Sequence, residues 1–212
     1  MPTRIHRIIH IENLEFILQQ GLIVAPNHPD ADPGYVQIGN NELINQRGAR
    51  VLPFDPNRTF RDYIGFYFGP RSIMLYNIYT GMNVPRLPQR DIIYLISEAE
   101  AIIQGGHDFF FTDGNGLYIP ESTRVFQNWA DIDQVDMAAA YSRNWSNQDD
   151  AADPGTKRKK HSEFQVFHQL EIDHVSEIIV YNQEAFIRVA PLVQQYMPHI
   201  QVLIDQDNQY YF

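Results

Sequence analysis

Cysteine is absent from this sequence of 212 residues. Its absence excludes a disulfide framework, a thiolate metal site and a cysteine nucleophile, and it fits a reducing compartment. No apolar run approaches the ~20 residues that a membrane-spanning helix needs. The start of the chain has no apolar segment typical of a signal peptide. We therefore expect a cytoplasmic protein.

Positive charge is also scarce. The chain has 16 Lys and Arg against 26 Asp and Glu, which gives a formal net charge of −10. Such a charge repels the phosphate backbone at long range and argues against a general nucleic-acid coat protein. An enzyme of this composition that acts on nucleic acid needs a local basic patch.

Standard nucleotide- and metal-binding motifs are missing. There is no GxGxxG motif after a strand and no GxxxxGK[ST], so neither a Rossmann site nor a P-loop is supported. The eight histidines form no HExxH pattern, and the spacing of His168 and His174 does not indicate a metal site. Asp149, Asp150 and Asp153 could hold a cation, but a solvated acidic loop is the commoner arrangement. We expect no metal.

The remaining composition supports a folded domain. The chain is 44% hydrophobic and 13% aromatic, which is enough for a core. Short apolar or alternating segments predict strands, and three- and four-residue spacing predicts helices. The predicted strands are residues 4–10, 63–68, 72–78, 91–96, 108–112, 164–167, 177–181 and 201–204, and the predicted helices are 13–20, 97–104 and 184–196. We expect one α+β domain over residues 1–212, with a central mixed or antiparallel sheet flanked by helices.

Two helix boundaries carry specific signals, and one long segment carries none. Gly21 is a natural residue to end the first helix. Ser97 and Glu100 match a capping box at the start of the second. Residues 25–62 are rich in Pro, Asn, Asp and Gly and show no clean period. A loop of this length inside a compact domain is usually functional or mobile. Residues 122–145 show weaker helical patterning.

Two charged residues are candidates for chemistry. Glu163 begins the alternating segment HSEFQVF, so on a strand it shares a face with Gln165 and Phe167. Spacing alone fits an ordinary solvent-facing glutamate equally well. Arg47 has no distinguishing local pattern. Arg71 lies in an aromatic-rich stretch, FYFGPRSIMLY, which by itself fits sheet core with a surface arginine.

Five segments, in sequence order and with comparable gaps, together resemble the DarT family, the toxins of DarTG toxin–antitoxin pairs. They cover nearly the whole chain. The segments are residues 8–14 (IIHIENL, similar to ITHIDNL), Arg47 before residues 51–53 (VLP), residues 67–76 (YFGPRSIMLY, similar to FYFxPRSPMLY), residues 110–113 (FFTD, similar to FVFTD) and residues 159–164 (KKHSEF, similar to KKQAEF).

The sequence departs from the family pattern at two places. Family members commonly have Tyr-His where this chain has His6 and Arg7. A histidine often follows the FTD turn, whereas residues 116–123 (GLYIPEST) contain none. The family has thymine-modifying and guanine-modifying branches, and the sequence does not assign the chain to either.

The resemblance implies an ADP-ribosyltransferase fold and a reaction. ADP-ribose passes from NAD⁺, the co-substrate, to thymine or guanine in single-stranded DNA, and nicotinamide is released. Glu163 and Arg47 are the implied catalytic residues. The implied NAD⁺-binding residues are His6, Arg7, Ile8, Arg47, Tyr67, Arg71 and Met74. Residues 25–53 would cover NAD⁺, and residues 114–162 would present DNA.

The resemblance also implies partners. Lys157, Arg158, Lys159 and Lys160 would contact single-stranded DNA beside Glu163. A macrodomain antitoxin would remove ADP-ribose from the modified DNA. We expect a monomer. The alternatives are an NAD⁺ glycohydrolase that uses water in place of a base, an ADP-ribosyltransferase acting on protein or RNA, and a non-catalytic binding domain.

Overall fold

A computed structural model describes residues 2–145 and 155–212. The acidic triplet Asp149, Asp150 and Asp153, considered above as a cation loop, lies outside the described residues. The strands of the described part are β1 (Arg4–His10), β2 (Leu22–Val24), β3 (Val51–Leu52), β4 (Asp55–Thr59), β5 (Tyr63–Tyr67), β6 (Ile92–Glu98), β7 (Phe109–Thr112), β8 (Val125–Phe126), β9 (Glu163–Phe167), β10 (Gln169–Glu171), β11 (Val175–Val180) and β12 (Gln201–Ile204).

The α-helices of residues 2–145 and 155–212 alternate with these strands, and short 3₁₀ turns connect many of the elements. The helices are α1 (Leu14–Gln20), α2 (Asn41–Gly48), α3 (Ile73–Thr80), α4 (Ala99–Gln104), α5 (Met137–Tyr141), α6 (Thr156–Lys159) and α7 (Gln183–Tyr196). None of the helices in this described part is long and apolar enough to cross a membrane.

One large sheet organises the molecule. Its strand order is β12-β11-β6-β1-β5-β9-β7-β8. The β11–β12 pair is parallel and the other neighbours are antiparallel. Two small ribbons, β10–β2 and β3–β4, lie beside it. The predicted α+β fold with a mixed sheet flanked by helices is confirmed.

The sheet is nearly divided between β1 and β5. Strand β1 pairs with β6 over its whole length, but its only paired position with β5 is His6 opposite Tyr67. Arg7 reaches across next to this point and donates through Nη1 to the carbonyl oxygen of Gly65, at 2.9 Å. A cleft therefore begins in the middle of the sheet, where two central strands stop pairing.

Both faces of the sheet are covered by apolar side chains. Along β6, Ile93 and Leu95 belong to the cluster that also contains residues of α1 and α7, whereas Ile92, Tyr94 and Ile96 belong to the cluster that contains residues of α3 and the C-terminal segment. Burial on both sides explains why this strand is a continuous apolar run rather than an alternating one.

The segment 72–78, predicted as a strand, is helix α3. The Oγ atom of Ser72 accepts a hydrogen bond from the backbone N–H of Leu75 at 3.2 Å, which caps the helix. Gly81 ends it with a φ of +78°. A short apolar run does not distinguish helix from strand by its period; here the Ser72 cap is joined by the packing of Leu75 and Ile78 against distant residues of β6 and the C-terminal segment.

The capping box predicted at Ser97 is also wrong. Ser97 and Glu98 still pair with β1, so the helix begins only at Ala99. The carboxylate of Glu100 instead accepts hydrogen bonds from the backbone N–H and the hydroxyl of Thr3, both at 2.8 Å. The pairing of the long strand β6 overrides the local capping signal.

The segment 25–62 is more ordered than its composition suggested. Residues 25–40 form turns and bends, but α2, β3 and β4 follow. Asn40 caps α2 by accepting a hydrogen bond from Leu43 N–H at 3.0 Å. In the segment 122–145, the predicted helical character is limited to α5 and a 3₁₀ turn at Trp129–Gln134.

Candidate active site

A cavity of about 540 Å³ opens beside the division of the sheet. Side chains of β1, β5 and β9 form its floor, and residues from the 25–48 segment and from the turn after β7 form its sides. Its volume lies in the range of small-molecule and cofactor sites. Its walls include Arg7, Arg47, Tyr67, Met74, His161 and Glu163.

Glu163 lies at the start of β9 and is only 3% exposed. Its carboxylate accepts a hydrogen bond from Gln165 Nε2 at 2.7 Å and forms an ion pair with Arg47. Burial raises the pKa of Glu163 above its ordinary value, and the charge of Arg47 and the hydrogen bond from Gln165 lower it in part. The solvent-facing alternative is excluded, because this carboxylate is held inside the protein.

Arg47 lies in the last turn of α2, and its side chain is 29% exposed. Its guanidinium carbon lies 4.7 Å from the centre of the Phe60 ring. Gly116 covers the pair from the other side, and a Cβ there would lie 2.8 Å from the Phe60 ring. The Nε atom of Arg47 is buried and makes no hydrogen bond within the described residues.

Gln165 completes the Glu163 site, and sequence reasoning did not assign it a role. It is 1% exposed and lies opposite Gly65 on β5. A Cβ at Gly65 would lie 3.0 Å from Gln165 Nε2, so the glycine leaves the space that this amide occupies. The alternation of β9 does predict that Glu163 and Gln165 share a face, and this prediction is confirmed.

Tyr67, Met74 and His161 form the wall next to Glu163. The Tyr67 hydroxyl lies 4.0 Å from the Met74 sulfur. Burial, with the nearby charge of Glu163, raises the pKa of Tyr67. Burial, with the positive charge of Arg47, lowers the pKa of His161 to about 4. Both side chains are therefore neutral near pH 7. His161 was also missed, although it lies only two residues before Glu163.

Five of the seven residues predicted to bind NAD⁺ line the cavity: Arg7, Ile8, Arg47, Tyr67 and Met74. His6 and Arg71 do not. The His6 ring packs against Tyr94 and Tyr210 on the other side of β1, and burial lowers its pKa to about 3. His6 is therefore enclosed by these aromatic rings, whereas Arg7 and Ile8 reach the cavity.

Arg71 is engaged with the C-terminal segment. Its Nη1 donates to the carbonyl oxygen of Asn208 at 3.1 Å, and its guanidinium lies 4.5 Å from the centre of the Phe212 ring. Arg71 therefore does not line the cavity, and its assignment to NAD⁺ stays a prediction. This arginine fixes the C-terminal segment against the start of α3.

Three of the four predicted DNA-binding cations make contacts inside the protein. Arg158 pairs with Asp113 at 3.2 Å, and Lys159 pairs with Asp136 at 3.1 Å. Lys160 is 2% exposed and donates to the carbonyl oxygen of Ala140 at 2.9 Å, so it cannot face a phosphate. Its burial lowers its pKa to about 8. Lys157 is exposed.

The FGPR stretch has a structural basis. A Cβ at Gly69 would fall on the carbonyl oxygen of Ala140, well inside contact distance. Lys160 then links the two backbones, because its Nζ contacts both this oxygen and that of Pro70, the latter at 3.3 Å. Only glycine permits the end of α5 to lie this close to the end of β5.

The arrangement is suited to a reaction that develops positive charge. A buried carboxylate with fixed donors stabilises a cation without reorganisation, and it does so more strongly than it would in water. The neutral Tyr67 and His161 add no opposing charge to the same wall. Three charged or polar side chains meet at this point of the wall: Glu163, its donor Gln165, and Arg47.

Comparisons with known proteins give matches over most of the chain. A family model described as "ssDNA thymidine ADP-ribosyltransferase, DarT" matches residues 6–212. A DNA ADP-ribosyl transferase of Thermus sp. (strain 2.9) is 32% identical over 195 residues, which are 92% of this chain and 89% of that protein. A DNA ADP-ribosyl transferase–DNA ADP-ribosyl glycohydrolase fusion protein of Thermosipho africanus is 24% identical over 85% of this chain and 43% of the fusion.

Two solved structures of Thermus sp. 2.9 DarT superpose on the chain with 31% sequence identity. One is a complex with ADP-ribosylated single-stranded DNA, with a TM-score of 0.87 over 99% of this chain and 97% of that one. The other is a complex with NAD⁺, with a TM-score of 0.81 over 99% and 98%.

Proposed function

The chain belongs to the DarT family of DNA ADP-ribosyltransferases, and from this premise we propose that Glu163 and Arg47 carry its reaction in the cavity beside β1 and β5. The enzyme uses NAD⁺ to ADP-ribosylate single-stranded DNA. The observation that carries the assignment of residues is the buried Glu163 carboxylate, held by Gln165 and Arg47 in the wall of a nucleotide-sized cavity.

Glu163 acts on the bond to nicotinamide. As this bond breaks, the ribose becomes an oxocarbenium-like cation, and a fixed carboxylate beside it lowers the barrier. Nicotinamide leaves with the bonding electron pair, and the anomeric carbon then bonds to a ring nitrogen of the DNA base, whose proton passes to solvent. Glu163 stabilises the cation and accepts a hydrogen bond from the ribose 2′-hydroxyl.

Arg47 has an electrostatic role. A guanidinium stays protonated in proteins and is a poor general base. It lowers the pKa of the attacking base nitrogen by stabilising the deprotonated form, and it favours the ionised form of Glu163 by their ion pair.

Residues 25–53 cover the bound NAD⁺. Asn13 fixes this segment: its side-chain amide donates to the carbonyl oxygen of Val36 at 3.0 Å and accepts from the N–H of Val36 at 2.8 Å. Tyr35 and Ile38, on either side of this contact, line the cavity. Residues 114–162 present the DNA, with Lys157 as the exposed cation of the basic run. Single-stranded DNA avoids the unstacking cost of a few kcal/mol that a duplex base would incur.

Thymine is the proposed base. The matching family model is described as a thymidine ADP-ribosyltransferase of single-stranded DNA, which supports this choice. Oligonucleotides that contain thymine but no guanine should gain the mass of ADP-ribose. Modification of guanine-only oligonucleotides instead would assign the chain to the other branch.

The test of the catalytic assignment is Glu163→Ala. It should keep the fold, bind NAD⁺ within a few-fold of wild type, and lose DNA modification by ~10² or more. Glu184→Gln, an exposed glutamate paired with Arg90 on the surface, is the control and should retain full rate. A Glu163→Ala enzyme with more than about a tenth of the wild-type rate, against that ~10² loss, would refute the assignment.

The same assay separates the rival reactions. An NAD⁺ glycohydrolase would release ADP-ribose and leave the oligonucleotide mass unchanged. A protein or RNA ADP-ribosyltransferase would modify those acceptors and leave the DNA unmodified. A non-catalytic binding domain would release no nicotinamide.

We further propose a macrodomain antitoxin as partner, with the enzyme acting as a monomer in the cytoplasm. The Thermosipho relative joins a DNA ADP-ribosyl transferase to a DNA ADP-ribosyl glycohydrolase in one chain, which supports a partner that removes the modification. Expression of the wild type alone in a bacterial host should be toxic, and Glu163→Ala should relieve the toxicity. Harmless expression of an active wild type would argue against the toxin assignment.

A further inference from the structure

Within residues 2–145 and 155–212, one group of three potential metal ligands is assembled away from the cavity. It consists of His107, Glu171 and His174, whose ligand atoms all lie within 4.8 Å of one another. None of the three lines the active-site cavity. His107 lies between α4 and β7, Glu171 ends β10, and His174 lies in the turn before β11.

The distances are close to those of a metal site. Glu171 Oε2 lies 3.0 Å from His107 Nε2 and 4.0 Å from His174 Nε2. Zinc bonds of 2.0–2.1 Å in tetrahedral geometry place two ligand atoms about 3.3 Å apart. The observed distances lie on either side of that value, so small side-chain rotations would bring all three atoms to one ion.

The surroundings leave room for this arrangement. A Cβ at Gly105 would lie 3.1 Å from His174 Cε1 and 3.3 Å from His107 Cδ2, so the glycine allows both rings to approach its backbone. The two imidazole planes cross at 83° with their centres 5.1 Å apart. Their side chains are 15% and 21% exposed, whereas that of Glu171 is 47% exposed. The two rings are therefore largely enclosed, whereas the carboxylate is the most exposed of the three ligands.

We propose that His107, Glu171 and His174 form a peripheral site for a divalent transition-metal ion, with Zn²⁺ as the ion that their chemistry fits best. Two imidazole nitrogens and one carboxylate oxygen are ligands that Zn²⁺ uses, and three protein ligands leave a fourth position for water. A site of nitrogen and oxygen ligands without thiolate discriminates against soft monovalent ions such as Cu⁺.

The ion has a structural role at this position. It joins the turn between α4 and β7 to the connection between β10 and β11, segments that are about 65 residues apart in the chain. Strand β9, which carries Glu163, directly precedes β10. A bound ion therefore stabilises the native state, because it binds the folded arrangement and not the dispersed ligands of the unfolded chain.

Zinc titration of the untagged, chelator-treated protein tests the site. Wild type should bind one equivalent of Zn²⁺ in competition with a chromophoric chelator, and its Tm should rise with Zn²⁺ concentration. Co²⁺ in the same site should give the strong visible absorption of a tetrahedral complex. Glu171→Gln and His107→Asn should each weaken Zn²⁺ binding at least tenfold and remove that absorption.

His199→Asn is the matched control. His199 pairs with Asp173 at 3.1 Å on the nearby surface but is not one of the three ligands, so its loss should leave Zn²⁺ affinity and the Co²⁺ spectrum unchanged. Because Glu171→Gln and His107→Asn are tested separately, a folding defect in one of them leaves the other to test the site. Equal Zn²⁺ affinity in wild type and both variants would overturn the proposal and leave the cluster as a hydrogen-bonded ion pair only. The same conclusion would follow if His199→Asn alone abolished binding.

Discussion

Replacing Gln165 with methionine tests how the protein keeps its buried glutamate ionised. Methionine is similar in length but has no N–H group, so the 2.7 Å hydrogen bond to the Glu163 carboxylate is lost. Burial already raises the pKa of Glu163, and Gln165 is one of the two groups that lower it. Without that donor the pKa must rise further.

The magnitude follows from the strength of this bond. A hydrogen bond to a charged group is worth about 1.5–3 kcal/mol, and one pKa unit corresponds to 1.36 kcal/mol. The pKa of Glu163 should therefore rise by about one to two units. Since the ionised carboxylate is the active form, activity is lost as pH falls through this pKa, and the acidic limb of the rate profile moves to higher pH.

The assay is single-turnover modification of an oligonucleotide at saturating NAD⁺, measured across the range of pH in which the enzyme stays folded. At pH values above the acidic limbs of both the wild type and the variant, Gln165→Met should recover most of the wild-type rate. Gln169→Met is the control, because that amide contacts His28 at 3.3 Å and lies outside the cavity. A uniform loss of rate with an unmoved acidic limb would refute the reasoning and leave Gln165 with a packing role alone.

Three further predictions concern stability and DNA binding. Gly69→Ala should lower Tm by about 2–12 °C, since overpacking costs ~1–3 kcal/mol and each kcal/mol is ~2–4 °C for a chain of this size. Gly34→Ala, where a Cβ would meet only the Asp32 side chain at 3.3 Å, is the control and should cost less. Equal losses in the two variants would contradict the close approach of Gly69 to Ala140. Burial lowers the pKa of Lys160 from 10.5 to about 8 in the folded protein. Between these two pH values the unfolded chain binds more protons than the folded one, so the free energy of unfolding of the wild type should rise with pH. Lys160→Met should abolish this rise. Urea unfolding of both proteins at pH 8 and at pH 10.5 measures this difference. A rise of the same size in Lys160→Met would contradict the prediction. Lys157→Ser should reduce the salt dependence of oligonucleotide binding by about 0.7 in log–log slope and leave NAD⁺ hydrolysis without DNA unchanged; an unaltered slope would show that this lysine contacts no phosphate.

Local sequence signals identified most of the regular elements that form the site. The strand at residues 4–10, the helix ended by Gly21, and the alternation that places Glu163 and Gln165 on one face are all present in the structure. Such features depend on neighbours within a few residues, so a single sequence is enough to predict them. The motif of residues 159–164 and the position of Arg47 indicated the candidate catalytic residues through their resemblance to the DarT family.

Local signals failed where a longer-range contact competed with them. The segment 72–78 is helical because Ser72 caps it and because its buried side chains pack against apolar residues of β6 and the C-terminal segment. Ser97 belongs to a strand because its pairing with β1 outweighs a capping pattern. In both segments the sequence permitted two structures, and packing against distant residues selected one.

The sequence by itself determined the family, the alternation of β9 and the overall shortage of positive charge. Which charges lie close together, and which are buried, depends on the tertiary structure. Arg47 meets Glu163 across 116 positions of the chain, Lys160 is buried against Ala140 while Lys157 faces solvent, and His107 reaches Glu171. Proximity and burial of this kind arise from the register of the sheet and the places where its strands stop pairing, and these depend on the whole folded chain rather than on any local pattern.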